Sequence, residues 1–343
     1  MRAVVAHAAK DLRIEERATP ALGPCDVSVR VAFGGVCGSD LHYYHHGGFG
    51  VVRLREPMIL GHEIAGVVEA VGAQCARVKI GERVAVSPSV PCNQCRYCLE
   101  GKQNQCLDMR FYGSAMRFPH VQGAFRESLV CLESQAHRIA DSMSLQEAAM
   151  CEPLAVALHA TRRAGGLLGK RALISGSGPI GALCALSARR AGAAEIVVTD
   201  IADGALGFAE RLGVERTINV AREPAALDAY KADKGYFDVL FEASGAEVAL
   251  RGGIEVVRPG GIIMQLGLGG DMTIPINAIT AKEIDLRGSF RFHEEFALAV
   301  ELIGKGLIDV KPLISATVPF TDATAAFELA TDRSRSMKVQ LAF

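Results

Sequence analysis

Four cysteines form a compact group at Cys92, Cys95, Cys98 and Cys106, with the spacing C-x2-C-x2-C-x7-C. Thiolates that lie so close along a chain can converge on one tetrahedral cation, and zinc favours such a set of sulfur ligands. A zinc site closed by four protein ligands has no free position for a substrate. The spacing therefore predicts a structural zinc site that holds a loop, and any reactive metal ligands must lie elsewhere.

A second group of candidate metal ligands is scattered along the chain. Cys37 lies in GGVCGSDLHYY, His62 and Glu63 lie in GHE, and Glu152 lies in CEPLAVALHA. A thiolate, an imidazole and a carboxylate give zinc three protein ligands and leave one position for water or substrate. Taken singly, Cys37 would be interpreted as a core residue and His62 as a turn residue. Together with the glycines that flank them, they predict a catalytic metal site.

A glycine-rich turn follows the apolar run RALIS and reads G-x-G-x-x-G. Its glycines permit a tight turn, a close approach of the backbone to a pyrophosphate, and packing of a helix on a strand. A carboxylate ends the next predicted strand, where it can hold ribose hydroxyls and repel a 2′-phosphate, and no arginine immediately follows it. The pattern predicts a dinucleotide site that prefers NAD to NADP. The predicted cofactor-binding residues are Gly176, Gly178, Pro179, Ile180, Gly181 and Asp200.

Two patterns of secondary structure must position these residues. The first third of the chain contains short strand-like runs broken by glycine, such as CDVSVRVAFGG and EIAGVVEAVG. Residues 145–164 have a helical pattern, and after RALIS strands and helices alternate. The predicted strands are 195–200, 216–220, 237–243 and 261–267, and the predicted helices between them are 204–212 and 247–257. Such alternation indicates a parallel, doubly wound sheet, so the fold class is α/β.

Composition narrows the class of protein. The chain has 343 residues, of which half are hydrophobic and 22% charged, so about two globular domains are expected. Lysine and arginine number 37 and aspartate and glutamate 38, and this balance favours neither a nucleic-acid nor a membrane partner. The N-terminal residues resemble neither a secretory signal nor a membrane anchor, so a cytoplasmic protein is expected. The ten cysteines are then interpreted as metal ligands and reduced thiols.

Several stretches resemble the zinc-containing medium-chain alcohol dehydrogenases, and the resemblance covers essentially the whole chain. Residues 61–86, GHEIAGVVEAVGAQCARVKIGERVAV, look like the signature of that family, and residues 37–44 and 151–160 are similar to its polyol dehydrogenase branch. Three less generic stretches, at residues 104–125, 234–245 and 282–292, look like the subfamily of L-idonate 5-dehydrogenases. The resemblance implies a β-rich, GroES-like catalytic domain of residues 1–148 and 288–343, with a Rossmann NAD-binding domain of residues 149–287.

The family implies two zinc ions per chain and assigns roles around the catalytic one. Cys37 and His62 would bind it, either Glu63 or Glu152 would be the third protein ligand, and Asp40 would orient His62. Cys151 is interpreted as a buried bystander.

Further roles follow from the same resemblance. Ser39 and His42 would form a relay for the alcohol proton, and Tyr43 and Arg291 would contact the substrate. The implied reaction is oxidation of a secondary alcohol, with zinc as Lewis acid and hydride transfer to NAD.

The substrate and the assembly remain open at the sequence level. The first hypothesis is oxidation of the sugar acid L-idonate to 5-keto-D-gluconate. The alternatives are a sorbitol- or xylitol-type polyol dehydrogenase and a more distant enzyme of the L-threonine 3-dehydrogenase type. A zinc-free reductase relative would not retain the candidate ligands, and a nucleic-acid zinc ribbon conflicts with the dinucleotide turn. The family implies homodimers or homotetramers acting on a small molecule.

Overall fold

The computed structural model of the chain describes all residues from Met1 to Phe343, which divide into two compact units. Unit 1 comprises residues 1–152, 296–332 and 338–343, and unit 2 comprises residues 153–295 and 333–337. The sequence-based division into residues 1–148 with 288–343 and residues 149–287 stays a prediction.

Short strands dominate the chain, and the helices are mostly brief. The strands are β1 (Arg2–Ala8), β2 (Asp11–Glu16), β3 (Asp26–Gly35), β4 (Gly48–Phe49), β5 (Val52–Arg53), β6 (Met58–Ile59), β7 (Glu63–Val71), β8 (Arg83–Val86), β9 (Ser89–Val90), β10 (Arg110–Phe111), β11 (Ser128–Leu132), β12 (Ala136–Arg138), β13 (Arg171–Ser175), β14 (Glu195–Asp200), β15 (Arg216–Asn219), β16 (Phe237–Glu242), β17 (Val257–Gln265), β18 (Asp285–Gly288), β19 (Ile314–Pro319) and β20 (Lys338–Ala342).

The α-helices follow the same chain order. They are α1 (Gly38–His46), α2 (Arg96–Leu99), α3 (Leu145–Ala149), α4 (Cys151–Ala164), α5 (Pro179–Arg190), α6 (Asp203–Arg211), α7 (Glu247–Val256), α8 (Ile276–Ala281), α9 (Glu295–Gly304) and α10 (Ala323–Thr331). No helix combines the length and the apolar character that a membrane span requires.

Unit 1 is organised around a seven-stranded sheet in the order β12-β8-β7-β3-β20-β19, with β11 also paired to β3. Val27, Val29 and Val31 alternate along β3, and all three are buried in the core, as expected for one face of a strand. The antiparallel pairing of β3 with β7 sets Gly35 opposite Glu63, while β20 pairs with the other edge of β3. This register brings the ends of three distant segments together.

Unit 2 contains a six-stranded sheet in which all neighbours are parallel, in the order β15-β14-β13-β16-β17-β18. Counted along the unit this order is 3-2-1-4-5-6, so the direction of winding reverses between β13 and β16. β13 and β14 are buried almost throughout, as expected for a sheet covered on both faces. The predicted parallel doubly wound sheet is confirmed, and its ligand crevice is expected outside the carboxyl ends of β13 and β16.

Two predicted elements differ from the structure. Residues 145–164 form two helices. α3 begins at a capping box between Ser144 and Glu147 and has Met150 as its C-cap residue, and α4 then begins at Cys151. The strand predicted from residue 261 begins at Val257, since a register shift accommodates Pro259 and Gly260 within β17.

Candidate metal centres and dinucleotide site

The structure brings the side chains of Cys92, Cys95, Cys98 and Cys106 together, with all four sulfurs within 4.8 Å of one another. Short α2 follows Cys95 directly and carries Cys98, whose sulfur lies 3.6 Å from that of Cys95. Backbone N–H groups of Cys92 and Asp108 donate to the Cys106 sulfur at 3.1 and 3.3 Å. Donors of this kind hold thiolate ligands in place, so the loop is organised to bind a thiophilic cation.

The thiols of this group differ in acidity. Hydrogen bonds from the backbone, first of all at Leu107, lower the pKa of Cys95 to about 6. Burial raises the pKa of Cys98 to about 12. A metal ion must displace the proton of Cys98 on binding, so the fold of this loop and its metal occupancy are coupled.

We expect Cys98→Ser to release one equivalent of zinc and to lower the free energy of unfolding by about 3 kcal/mol or more, because a structural zinc stabilises the fold that presents its ligands. Metal content and urea unfolding measure both effects. Cys184→Ser replaces a buried thiol of unit 2 outside the group and is the control. Unchanged zinc content in Cys98→Ser would contradict the assignment of the cage.

A second group lies in unit 1, where the ligand atoms of Cys37, His62 and Glu63 are within 4.8 Å of one another. Cys37 is the N-cap residue of α1 and directly follows β3 after Val36, whereas Glu63 begins β7. The pairing of β3 with β7 therefore assembles the group from segments that are distant in sequence. Burial, and then the negative charge of Glu63, raise the pKa of the Cys37 thiol to about 11.

Asp40 connects the two segments that carry this group. It is fully buried, and its carboxylate accepts N–H groups from Cys37 and from Gly61, both at 3.1 Å. Its distance of 3.8 Å from His62 Nδ1 is too long for a hydrogen bond. The orienting role of Asp40 towards His62 stays a prediction, whereas its two hydrogen bonds fix the backbone on either side of the site. Burial raises the pKa of Asp40.

His62 has a buried ring nitrogen that makes no hydrogen bond. Its Nδ1 atom makes no hydrogen bond, the side chain is buried, and the ring packs against Phe111 with centroids 5.5 Å apart. Sulfur, imidazole nitrogen and carboxylate oxygen are the donors that zinc uses in sites with an open position. The donor set and the unsatisfied histidine fit a zinc ion, which Cys37, His62 and a carboxylate would hold.

Glu63 is held by a lysine that sequence reasoning did not identify. Lys338, the first residue of β20, places Nζ 2.8 Å from each carboxylate oxygen of Glu63 and 3.2 Å from the carbonyl oxygen of Val36. Gly35 lies opposite, and a Cβ there would stand 2.0 Å from Glu63 Oε2, so only glycine leaves room for this carboxylate. Burial disfavours the charged lysine, but the negative charge of Glu63 prevails and raises the pKa of Lys338.

Glu152 lies near enough to this group to interact with its charges, but it is not part of the close cluster of ligand atoms. It is buried on α4, and burial raises its pKa to about 8, with a further contribution from the charge of Glu63 and an opposing one from His62. It is not among the residues whose ligand atoms lie within 4.8 Å of one another. Cys151 beside it is completely buried, and burial raises the pKa of its thiol.

The two candidate relay residues lie on the first turns of α1. Ser39 is the second residue of α1, close enough to the Cys37 thiol to oppose the rise of its pKa. His42 is exposed one turn later, and its ring packs near Phe49 with centroids 5.7 Å apart. The relay role of Ser39 and His42 stays a prediction.

The candidate substrate residues lie in different units. Tyr43 is buried in the core of unit 1, with 1% of its surface exposed, and its hydroxyl accepts the N–H of Ala115 at 2.9 Å. Arg291 lies in unit 2, half-buried, with a left-handed backbone at φ 56° and its guanidinium 4.9 Å from the centre of the Phe290 ring. Their contact with a substrate remains a prediction.

The glycine-rich turn lies directly after β13 and before α5. At Gly181 a Cβ would stand 1.8 Å from the carbonyl oxygen of Gly176, so the helix approaches the turn too closely for any side chain. Gly176 has φ 91°, and its own Cβ would lie 2.7 Å from the Ser244 nitrogen in the loop after β16. Gly178 instead faces open space, since a Cβ at this position would meet no atom within 4 Å. Pro179 and Ile180 form the first turn of α5 and are half-buried.

Asp200 ends β14 beside this turn. One carboxylate oxygen accepts the N–H of Ser177 at 2.6 Å, and the other accepts those of Ile201 and Ala202 at 2.7 and 2.9 Å. The carboxylate is thereby fixed next to the glycine-rich turn, as the ribose partner of a dinucleotide would be. The turn, the open face of Gly178 and the fixed carboxylate fit a dinucleotide cofactor.

Two family models match separate parts of the chain. The alcohol dehydrogenase GroES-like domain matches residues 23–141, and the zinc-binding dehydrogenase domain matches residues 179–305. The first match falls in unit 1 and contains Cys37, His62 and all four clustered cysteines.

Individual relatives cover nearly the whole chain. L-idonate 5-dehydrogenase (NAD(P)(+)) of Escherichia coli is 44% identical over 92% of this chain and 91% of its own length. A probable D-xylulose reductase A of Neosartorya fischeri is 39% identical over 92% and 90%. The crystal structure of L-idonate 5-dehydrogenase from Escherichia coli has a TM-score of 0.96 and 42% identity, and covers 100% of this chain and 98% of that chain. The chain therefore belongs to the zinc-binding alcohol dehydrogenase family and is an oxidoreductase with a GroES-like and a Rossmann-type domain.

Proposed function

We propose that the protein oxidises a secondary alcohol of a sugar acid, L-idonate to 5-keto-D-gluconate, and transfers the hydride to NAD. The observation that carries the chemistry is the group of Cys37, His62 and Glu63, in a chain that also has a dinucleotide turn. The choice of substrate is supported by 44% identity to an L-idonate 5-dehydrogenase over 92% of the chain.

Two zinc ions per chain are part of this proposal, one in the cysteine cage and one at the reactive group. When bound at the reactive group, zinc supplies Lewis acidity that favours loss of the alcohol proton. Cys37 and His62 hold it, with Glu63 or Glu152 as the carboxylate ligand. Asp40 fixes the backbone at Cys37 and at Gly61, the residue before His62.

The side chains of α1 handle the released proton. The Ser39 hydroxyl, near the Cys37 thiol, accepts it next to the substrate, and exposed His42 passes it to water. A histidine is suited to this step because its usual pKa is near neutrality. On the cofactor side, Asp200 binds the ribose hydroxyls and the N-terminus of α5 faces the pyrophosphate.

A sugar acid brings a carboxylate that requires a cation. Arg291 is the proposed partner, because a guanidinium can bind a carboxylate through two parallel hydrogen bonds. Tyr43 is proposed to line the substrate from α1. The product is a ketone, and electrons and protons balance as one hydride to NAD and one proton to water.

A substrate panel tests the proposal directly. The zinc-loaded protein is assayed with L-idonate, D-gluconate, sorbitol, xylitol and L-threonine, each with NAD and with NADP, by absorbance of the reduced cofactor. The highest kcat/KM is expected for L-idonate with NAD. A higher value for a neutral polyol would replace the sugar acid as substrate while leaving the dehydrogenase chemistry in place.

A polyol substrate is the second candidate, and a specific observation favours it. Relatives described as D-xylulose reductase A are 39% identical over 92% of the chain, only five points below the L-idonate relative. Sorbitol or xylitol would then be oxidised at the same site. An L-threonine 3-dehydrogenase-type activity is the more distant alternative.

The preference for NAD is expected to depend on Asp200. We expect Asp200→Ser to raise the ratio of kcat/KM for NADP to that for NAD by at least about tenfold, because the fixed negative charge that repels a 2′-phosphate is lost. The substitution also leaves the backbone N–H groups that Asp200 accepts without a partner, which could lower activity with both cofactors. The ratio is insensitive to such a common loss. Asp203→Ser removes a nearby exposed carboxylate and is the control. An unchanged ratio would exclude Asp200 as the determinant.

We also propose that the protein is cytoplasmic and forms homotetramers or homodimers, as inferred from its family. Light scattering of the purified protein measures the mass of the assembly against the 36.4 kDa chain. Nucleic acid and membrane are not proposed as partners, since the formal net charge is only −1.

A further inference from the structure

Unit 1 contains a cavity that has no part in the sites described above. It lies between β12 and α9 and has a volume of about 460 Å³. None of the metal ligands Cys37, His62 and Glu63 lines it, and neither does any residue of the cysteine cage. Cavities of roughly 300–1,000 Å³ are of the size that binds small molecules in proteins. The cavity is therefore large enough for a ligand other than the metals and the cofactor.

The two walls of the cavity are joined near both ends. β12 is the last strand of its sheet and pairs only with β8, so its other edge faces no strand. Near the start of α9, the Phe296 ring packs against the His137 ring with centroids 4.9 Å apart. At the end of α9, the Ser142 hydroxyl donates to the Gly304 carbonyl oxygen at 3.3 Å, and a Cβ on Gly304 would lie 3.4 Å from that of Ala140. The helix is thus held along the open edge of the strand, with the cavity between them.

Positive charge predominates around this cavity. Arg77, Arg138 and Lys305 line it, whereas Glu301 is the one carboxylate among the lining residues. Glu301 is already paired with Lys305 at 2.5 Å. Arg138 is paired at 3.2 Å with Glu82, which does not line the cavity. The charge of Arg77 is therefore not balanced by any acid that lines the cavity.

His137 is close enough to Arg77 to respond to this charge. The ring is half-buried, and burial, followed by the positive charge of Arg77, lowers its pKa to about 4. The imidazole is thus neutral near pH 7 and offers one N–H donor and one acceptor nitrogen. Glu133 also interacts with Arg77, but its Oε1 atom already accepts the backbone N–H groups of Arg77 and Val78. An anion beside Arg77 would meet a guanidinium and a neutral imidazole.

We propose that this cavity binds a small organic anion, a carboxylate or a phosphate ester that carries a short apolar body. Arg77 binds the anionic group, because a guanidinium can donate two parallel hydrogen bonds to a carboxylate or phosphate. Val78, which is 4% exposed, and Val300 line the cavity and contact the apolar body. Arg138 and Lys305, whose side chains are 64% and 62% exposed, attract anions from solvent. The inference is independent of which alcohol the protein oxidises.

Matched probes test the charge and the apolar body separately. The methyl resonances of Val300 are followed in the isotope-labelled, zinc-loaded full chain and are assigned with Val300→Ile. The probes are pentanoate, pentanamide, n-butyl phosphate and inorganic phosphate. We expect pentanamide to bind at least about tenfold more weakly than pentanoate, because it has the same chain without the charge. Inorganic phosphate should bind at least about tenfold more weakly than n-butyl phosphate, because it lacks the four carbons that the cavity buries.

Variants of Arg77 test the assigned contact. We expect Arg77→Gln to weaken the binding of pentanoate and of n-butyl phosphate by at least about tenfold, and Arg77→Lys to lose less because it keeps the charge without the planar fork. Lys79→Gln removes the same charge from an exposed residue that does not line the cavity, and should stay within about twofold of wild type. Since Arg77 is itself exposed, the urea midpoint of Arg77→Gln should equal that of wild type.

The results distinguish a built site from general attraction of anions. Val300 resonances that do not move with millimolar pentanoate or n-butyl phosphate overturn the inference. Equal binding of pentanoate and pentanamide also overturns it, and this comparison needs only the wild-type protein. Equal losses in Arg77→Gln and Lys79→Gln would assign the effect to overall charge and overturn it as well. If all three tests succeed, the tighter of the two organic anions identifies whether a carboxylate or a phosphate ester is the ligand.

Discussion

Replacing Cys37 by serine is expected to lower kcat by about a thousandfold, while NADH binding stays within about twofold of wild type. The loss corresponds to about 4 kcal/mol of transition-state stabilisation, the scale of charge stabilisation that a metal supplies. A serine hydroxyl is a poor zinc ligand, so the reactive site should empty whereas the cysteine cage retains its ion. The dinucleotide turn belongs to the other unit and contains none of the altered atoms.

Metal analysis and fluorescence titration with NADH measure the two halves of this prediction. The variant should contain one zinc per chain instead of two. Cys151→Ser is the control, because Cys151 is another free thiol of unit 1 but is not part of the group around His62. If Cys37→Ser kept both metal ions and its turnover, the reaction would have to take place without this group.

The cysteine cage could be predicted from the sequence because all its members lie on one local loop. The spacing of Cys92, Cys95, Cys98 and Cys106 determines that their sulfurs can meet, whatever the surrounding fold does. The glycine-rich turn is local in the same way, since steric demands at Gly176 and Gly181 arise within one strand–turn–helix unit. The geometry of such local patterns follows from the residue types and their spacing.

The group of Cys37, His62 and Glu63 could not be predicted from the spacing of its residues alone. Cys37 and His62 meet only because β3 and β7 pair with Gly35 opposite Glu63, and this register is a property of the whole sheet. The residue types, the flanking glycines and the resemblance to a family together predicted the group without the register. Spacing alone would have left Cys37 as one of ten cysteines.

The contact between Lys338 and Glu63 could not be predicted from the sequence. It lies in a strand-like C-terminal run, and nothing in its neighbours separates it from an exposed lysine at the start of a strand. Lys338 contacts Glu63 because β20 pairs with β3 on the side opposite β7. This pairing brings the first residue of β20 to Glu63, 275 positions earlier in the chain. Asp40 is similar, because its partners at Cys37 and Gly61 depend on the same assembly.

Gly181→Ala is expected to destabilise unit 2 by about 3 kcal/mol and to weaken NADH binding by more than about tenfold, because overpacking forces the backbone to move. The added methyl would lie 1.8 Å from the Gly176 carbonyl oxygen and 3.3 Å from the Ile174 side chain. Since α5 must move away from β13 to relieve this collision, the turn that receives the cofactor is distorted along with it. Urea unfolding and NADH titration measure the two losses.

Gly178→Ala distinguishes cofactor contact from folding at the same turn. Its φ of −72° suits any residue, and no atom lies within 4 Å of the added methyl, so the free energy of unfolding should fall by at most about 1 kcal/mol, the usual cost of alanine at an N-cap. NADH affinity should still fall about tenfold, because the methyl occupies the space through which a pyrophosphate approaches the backbone. We therefore expect Gly181→Ala to lose both stability and NADH affinity, and Gly178→Ala to lose mainly NADH affinity. Wild-type affinity in a stable Gly178→Ala protein would mean that the phosphates lie elsewhere, and the open face of the turn would then have no part in binding the cofactor.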